Sequence, residues 1–133
     1  MHAGNNPSRP GEVPIRVLVL DDEPLIRWAA ATTLAGAGLQ VIEAANVAGA
    51  LDVIDTTVLD LALLDLRLPD GSGVDVLNEL QRVQPTCRCI MMTAFRTPEL
   101  THHAADDHVP ILDKPFGMPD LLGLVDSVIA PRA

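Results

Sequence analysis

The sequence predicts an α/β fold, a parallel five-stranded sheet covered by helices, and three observations carry that expectation. Short apolar runs of strand length alternate with stretches of helical period, in a β-α order repeated five times. The central run, Leu61-Ala62-Leu63-Leu64, has no polar face, as a strand buried on both sides requires. The apolar palette is also aliphatic. Hydrophobic residues make up 48% of the 133 and aromatics only 2%, so Leu, Val, Ile and Ala must build the core, which suits a helix-covered sheet better than a sandwich or barrel. The length is that of one domain with a real core.

In chain order, residues 1–13 carry Asn, Pro, Gly and Ser without periodicity and are read as a disordered tail. Residues 15–20 form the first strand, ending in Asp21-Asp22-Glu23, and Pro24 opens a helix over 24–37 closed by Gly36 and Gly38. Ile26, Ala29, Ala30, Thr33, Leu34 and Ala37 share its inner face. Trp28 falls on the outer face, either as a surface residue packed on its neighbours or as a docking contact for a partner helix. Residues 40–44 give the second strand, and Asn46 is the N-cap of a helix through Ile54.

The third strand ends at Asp65, where Pro69, Asp70, Gly71 and Gly73 force an irregular loop. A helix from Gly73 or Val74 to Val83 turns Val74, Leu77 and Leu80 inward, and Pro85 follows it. Residues 88–92 form the fourth strand, ending in Thr93. Residues 97–105 have a good helix start but little apolar face, and the adjacent His102 and His103 read as a solvated surface rather than a metal site. Ile111-Leu112-Asp113 is a short fifth strand ending at Lys114-Pro115. The last helix starts near Met118-Pro119-Asp120, with Leu121, Leu124, Val125 and Val128 inward, and no linker or second domain is expected after Pro131.

The net charge of −9, with no basic run or aromatic platform, argues against direct nucleic-acid binding. No stretch is long enough to span a bilayer and the N-terminus lacks a signal-peptide apolar region, so a cytoplasmic protein without membrane association is expected. Cys87 and Cys89 are expected on opposite faces of their strand, as two core thiols rather than a disulfide or metal pair.

Right-handed crossovers place the carboxyl ends of all the strands on one edge, where open α/β sheets bind ligands. Asp21, Asp22, Asp65, Thr93 and Lys114 all stand at strand ends. Three neighbouring carboxylates raise each other's pKa unless a cation joins them, and an all-oxygen set favours Mg²⁺, or Mn²⁺ in its place. Lys114 is a point cation able to hold Asp65 ionised or to meet a phosphate oxygen, and Thr93 supplies a hydroxyl. The collection suits phosphoryl transfer to a carboxylate. Asp65, alone before its loop, is the best nucleophile.

The stretches Val19-Leu20-Asp21-Asp22-Glu23-Pro24, Leu64-Asp65-Leu66-Arg67-Leu68-Pro69-Asp70-Gly71-Ser72-Gly73, Met92-Thr93-Ala94-Phe95 and Lys114-Pro115-Phe116 resemble a response regulator receiver domain of two-component signalling. The resemblance implies a doubly wound (βα)5 sandwich, flavodoxin-like and CheY-like, of strand order 2-1-3-4-5, here over 14–130. It implies Asp65 as phospho-acceptor, and Mg²⁺ held directly by Asp22, Asp65 and the Arg67 backbone carbonyl, with Asp21 acting mainly through water. Thr93 and Lys114 match the positions that contact the phosphoryl group. The implied partners are a histidine kinase or histidine phosphotransfer protein, and an effector domain or downstream protein; homodimerisation is left open. The protein would be no enzyme beyond its own phosphorylation and dephosphorylation. The chain is either free-standing or a fragment of a longer regulator. One position departs from the pattern. Ile111 stands where the family usually has the Tyr or Phe switch, so a different switch, one using Phe95, or output through another face is expected.

Three other readings fit less well. A haloacid-dehalogenase-type phosphatase needs an Asp where Arg67 stands, and an FMN carrier needs a Ser/Thr/Gly-rich loop where Asp21-Asp22-Glu23 stands. A receiver fold that docks partners without being phosphorylated is the remaining alternative.

Overall fold

The structure is a computed structural model that describes residues 14–98, 100–102 and 108–130; the expected tail, and His103 with the end of the expected 97–105 helix, lie outside the described residues. Strands β1 (Arg16–Leu20), β2 (Gln40–Ala44), β3 (Leu61–Asp65), β4 (Arg88–Thr93) and β5 (Ile111–Asp113) form one sheet. Its order is β2-β1-β3-β4-β5 and every pair is parallel, as the resemblance implied. Helices α1 (Pro24–Gly36), α2 (Val47–Thr56), α3 (Gly73–Val83) and α4 (Met118–Ile129) cover its two faces.

Strand alternation splits the core into two layers. Leu18, Leu20, Ala62, Leu64 and Met91 pack with Ala50 and Ile54 of α2 and Val76, Leu77 and Leu80 of α3. Val17, Val19, Leu61, Leu63, Ile90 and Met92 pack with Ala30 and Leu34 of α1 and Leu121 and Val125 of α4. Each large side chain so buried is worth roughly 1.5–3 kcal/mol relative to exposure. All five residues of β3 are buried, so the polar Asp65 is carried to the sheet edge by an apolar strand that has no other place to go.

The helix starts follow local chemistry. Asn46 Oδ1 accepts from the Gly49 amide at 2.8 Å, as its N-cap position predicts. α3 opens on a capping box, with Ser72 Oγ accepting from Val74 N at 3.1 Å and Asp75 accepting from Ser72 N at 3.3 Å. Thr97 Oγ1 accepts from Leu100 N at 3.0 Å, the start expected for the helix after β4, and residues 98 and 100–102 are helical. Gln84 ties the ends of α2 and α3 together, donating to the Ile54 and Thr57 carbonyls and accepting from Leu59 N.

Three local expectations are corrected. Residues i and i+2 of an extended chain point to the same side, and Cys87 and Cys89 accordingly sit in the same core layer, both buried and not joined in a disulfide. Gly36 lies inside α1, and Gly38, at φ +92°, makes the turn that closes it. Val74 packs on the core as expected, with Val76 buried completely. The loop after Asp65 is not irregular: Arg67–Leu68 and Gly71–Ser72 pair as a short antiparallel ribbon. Trp28 is exposed, as its outer-face position predicts, and lines a groove with Leu25, Phe116 and Met118.

Gly73 marks where α3 is pressed against the strand that ends in Asp65. A Cβ there would lie 2.2 Å from the Asp65 carbonyl oxygen, a backbone atom that cannot step aside. Gly73→Ala is therefore expected to cost about 1–3 kcal/mol or more. Gly123, in the middle of α4 with no atom within 4 Å of an added Cβ, should instead gain roughly 0.5–1 kcal/mol as alanine. Opposite shifts of the urea midpoint in the two variants check both.

Candidate functional site

The carboxyl edge of the sheet brings Asp21, Asp22, Asp65, Thr93 and Lys114 together, each carried there by the end of β1, β3, β4 or β5. The carboxylates of Asp21, Asp22, Glu23 and Asp65 place one oxygen each within 4.8 Å of all the others. Lys114 stands among them. Its Nζ lies 2.8 Å from Asp21 Oδ2, 3.3 Å from Glu23 Oε1 and 3.3 Å from Asp65 Oδ2, and its side chain is 8% exposed. The Lys114 amide donates to the Thr93 carbonyl at 2.8 Å, which fixes the lysine to the end of β4.

The carboxylates are not equivalent. Asp21 is fully buried and both its oxygens are engaged, Oδ1 by the Glu23 amide at 2.9 Å and Oδ2 by Lys114. Arg27 fixes its backbone, donating to the Asp21 carbonyl at 2.8 Å. Asp22 is exposed, and Asp65 is 5% exposed at the mouth of the cluster. Burial pushes the Asp65 carboxyl up to about 6, with Asp21 adding to the rise and Lys114 opposing it. Burial alone would lower the pKa of Lys114, but its bond to Asp21 and the attraction of Asp21 and Asp65 hold it above its ordinary value. The cluster thus holds more negative charge than one lysine neutralises. Hard, all-oxygen donors in surplus negative charge suit a small divalent cation.

A cleft of about 310 Å³ opens beside Asp65, bounded by Asp22, Glu23, Arg67, Thr93, Phe95 and Lys114. Thr93 is buried, and its hydroxyl is engaged by its own loop, donating to the Phe95 carbonyl at 2.8 Å and accepting from the Phe95 amide at 3.1 Å. The Arg67 guanidinium lies 5.8 Å from the centre of the exposed Phe95 ring. Ile111 pairs with Met91 in the sheet and packs its side chain on the core, away from this cleft's lining. The tip of the post-Asp65 loop is pinned from outside, since Asp70 accepts from the Val47 and Ala48 amides at 2.8 and 3.0 Å. Those two bonds hold the Asp70 carboxyl below its ordinary range.

Comparison with known proteins agrees with this geometry. The model of the response regulator receiver domain matches residues 17–126. The chain belongs to that family. The transcriptional regulatory protein KdpE of Mycobacterium tuberculosis is 41% identical over 118 residues, covering 85% of this chain and 50% of that protein. The chain thus spans about half the length of this relative. A CheY-like receiver domain from Methanospirillum hungatei superposes with a TM-score of 0.82 at 27% identity, covering 86% of this chain and 93% of that one. A response regulator from Burkholderia pseudomallei, solved with a phosphorylated aspartic acid, calcium ion and citrate, superposes with a TM-score of 0.75 at 25% identity over 82% of this chain and 65% of that one. The protein is a receiver domain of two-component signalling. Among the described residues no helix is long and apolar enough to cross a membrane.

Sequence reasoning missed Glu23 as a member of the receiver site. It was visible as the third acid of Asp21-Asp22-Glu23, but only the turn at the end of β1 decides that it comes back within reach of Lys114.

The raised Asp65 pKa fixes the sign of a pH effect. Between about pH 4 and 6 the folded state keeps a proton that the unfolded chain has released, so this group's contribution to stability falls as pH rises through that window. In metal-free protein, Asp65→Asn should remove that slope and raise stability at pH 7.5 by about 1–3 kcal/mol. Mg²⁺ should raise the wild-type melting temperature more at pH 7.5 than at pH 5. Melts of both proteins in chelator and in Mg²⁺ across pH 4.5–8 check this; parallel pH profiles for the two would contradict it.

Proposed function

We propose that residues 14–130 act as a phosphorylatable receiver domain with Asp65 as the acceptor. The observation that carries this reading is the position of the Asp65 carboxylate, at the end of a wholly buried strand, among the acidic residues and 3.3 Å from Lys114 Nζ. An Asp65 oxygen attacks the phosphorus of a phosphohistidine on a histidine kinase or phosphotransfer protein. The new P–O bond forms as the donor P–N bond breaks, and the leaving imidazole keeps the electron pair and takes up a proton. Lys114 keeps Asp65 ionised for attack and then faces the added negative charge. Thr93 can donate to a phosphoryl oxygen once its hydroxyl leaves the Phe95 carbonyl.

Bound Mg²⁺ would neutralise the phosphoryl oxygens. Asp22, Asp65 and the Arg67 carbonyl would hold it directly and Asp21 through water. The engagement of both Asp21 oxygens by protein donors supports that division of labour. The phosphorylated aspartic acid and calcium ion of the Burkholderia pseudomallei protein support the chemistry. On this reading the protein is a cytoplasmic signalling module that catalyses only its own phosphorylation and dephosphorylation, and its state is passed to an effector domain or a downstream protein.

Intact mass after incubation with acetyl phosphate is the test. Wild type should gain a single phosphoryl group in Mg²⁺ and none in chelator, and Asp65→Ala should gain none under either condition. A folded, Mg²⁺-binding wild type that stays unmodified would contradict the proposal and favour docking without phosphorylation.

A further inference from the structure

The loop after Asp65 is held by something outside the acidic cluster. Its two strands of two residues each make a ribbon too short to keep its shape alone in water. One end is closed by the Gly73 amide, which donates to the Leu66 carbonyl at 2.8 Å. At the other end Asp70 reaches across to α2, where Oδ1 accepts from the Val47 amide and Oδ2 from the Ala48 amide. These are the first two amides of the helix, which have no helical carbonyl to bond, while Asn46 serves the third at Gly49. The approach is close, since a Cβ on Gly71 would stand 3.2 Å from Val47 Cγ2.

We infer that Asp70 is a positioning residue of the acidic site: by seating the loop tip on α2 it fixes the Arg67 carbonyl and so sets the affinity of the cluster for Mg²⁺. The inference rests on the proposed role of that carbonyl as a cation ligand. Asp70 lies outside the lining of the cleft and acts only through the ribbon. Arg67 pairs with Ser72 and Leu68 with Gly71, so the ribbon joins the tip to Arg67. With the tip released, the near end of the ribbon keeps the Gly73 bond to Leu66, the Leu66 amide's bond to the Met92 carbonyl and the packing of Leu66 and Leu68, while the far end loses both its bonds to α2. Mg²⁺ makes short bonds and demands near-ideal octahedral geometry, so a loosened carbonyl is felt as lost affinity.

Calorimetric titration of Mg²⁺ into wild type, Asp70→Ala, Asp70→Asn and Val47→Pro, each paired with a thermal melt, tests this. Asp70→Ala and Val47→Pro should weaken Mg²⁺ binding by on the order of tenfold, as loss of a partner that orients a ligand does. Asp70→Asn, which keeps an oxygen acceptor, should recover most of the affinity. Saturating Mg²⁺ should return acetyl phosphate labelling of Asp70→Ala to the wild-type rate. A lower melting temperature with unchanged Mg²⁺ affinity would overturn the inference and leave Asp70 a helix cap only. If Asp70→Ala does not fold, Val47→Pro decides, because proline is tolerated at the first helical position and deletes one donor of the same contact. A wild type that binds Mg²⁺ but accepts no phosphoryl group would defeat the acceptor reading while the affinity comparison still decides Asp70. A wild type that binds no Mg²⁺ would overturn both.

Discussion

One ammonium shared among carboxylates is the constraint on which the site depends. Lys114 reaches Asp21, Glu23 and Asp65 from a nearly buried position, and a buried cation is tolerated only where such partners surround it. The partners are tolerated for the same reason. Fully buried Asp21 is held by both the lysine and the Glu23 amide, while burial, with Asp21 beside it, raises the Asp65 pKa in spite of the lysine. The arrangement is balanced but not neutral, and the remaining negative charge is of the kind a bound divalent ion would offset.

That balance is set by the fold rather than by neighbouring residues in sequence. Asp21 and Lys114 are 93 positions apart and meet because β1 and β5 both end on the same edge of a parallel sheet. The apolar β3 between them anchors Asp65 with no freedom along the strand, and Gly73 lets α3 begin directly against it. Asp65 is therefore seated as firmly as the core strand that carries it, while the outer wall of the site, at Arg67 and Phe95, is made of exposed side chains.

The parts legible in the sequence were those governed by periodicity and by strand-end chemistry. The apolar runs gave the five strands, Asn46 its cap, and the acids and lysine at the strand ends their meeting place. Contacts that need a tertiary partner were not legible. Ser72 and Asp75 carry a capping-box spacing that could have been found locally, but Asp70 reaching Val47 and Gln84 reaching Ile54 join residues more than twenty positions apart. The ribbon after Asp65 was hidden because Pro and Gly signal a turn without saying that its flanks pair. The shared face of the two cysteines follows from the strand period alone, since residues two apart in an extended chain point to the same side.

The sheet order has a consequence for how the molecule behaves in a crowd. Among the described residues the open parallel sheet has two unpaired borders, β2 and β5, each a template on which another chain could add a strand. The β5 border is only three residues long and ends at Asp113, which Arg96 grips through two bonds at 2.8 and 2.9 Å. The β2 border exposes Gln40 and Glu43, and Glu43 is paired with Arg27. Brevity on one side and fixed charge on the other make both borders poor templates for chain-to-chain zippering, so the almost entirely aliphatic interior is not extended to a second chain along either of them.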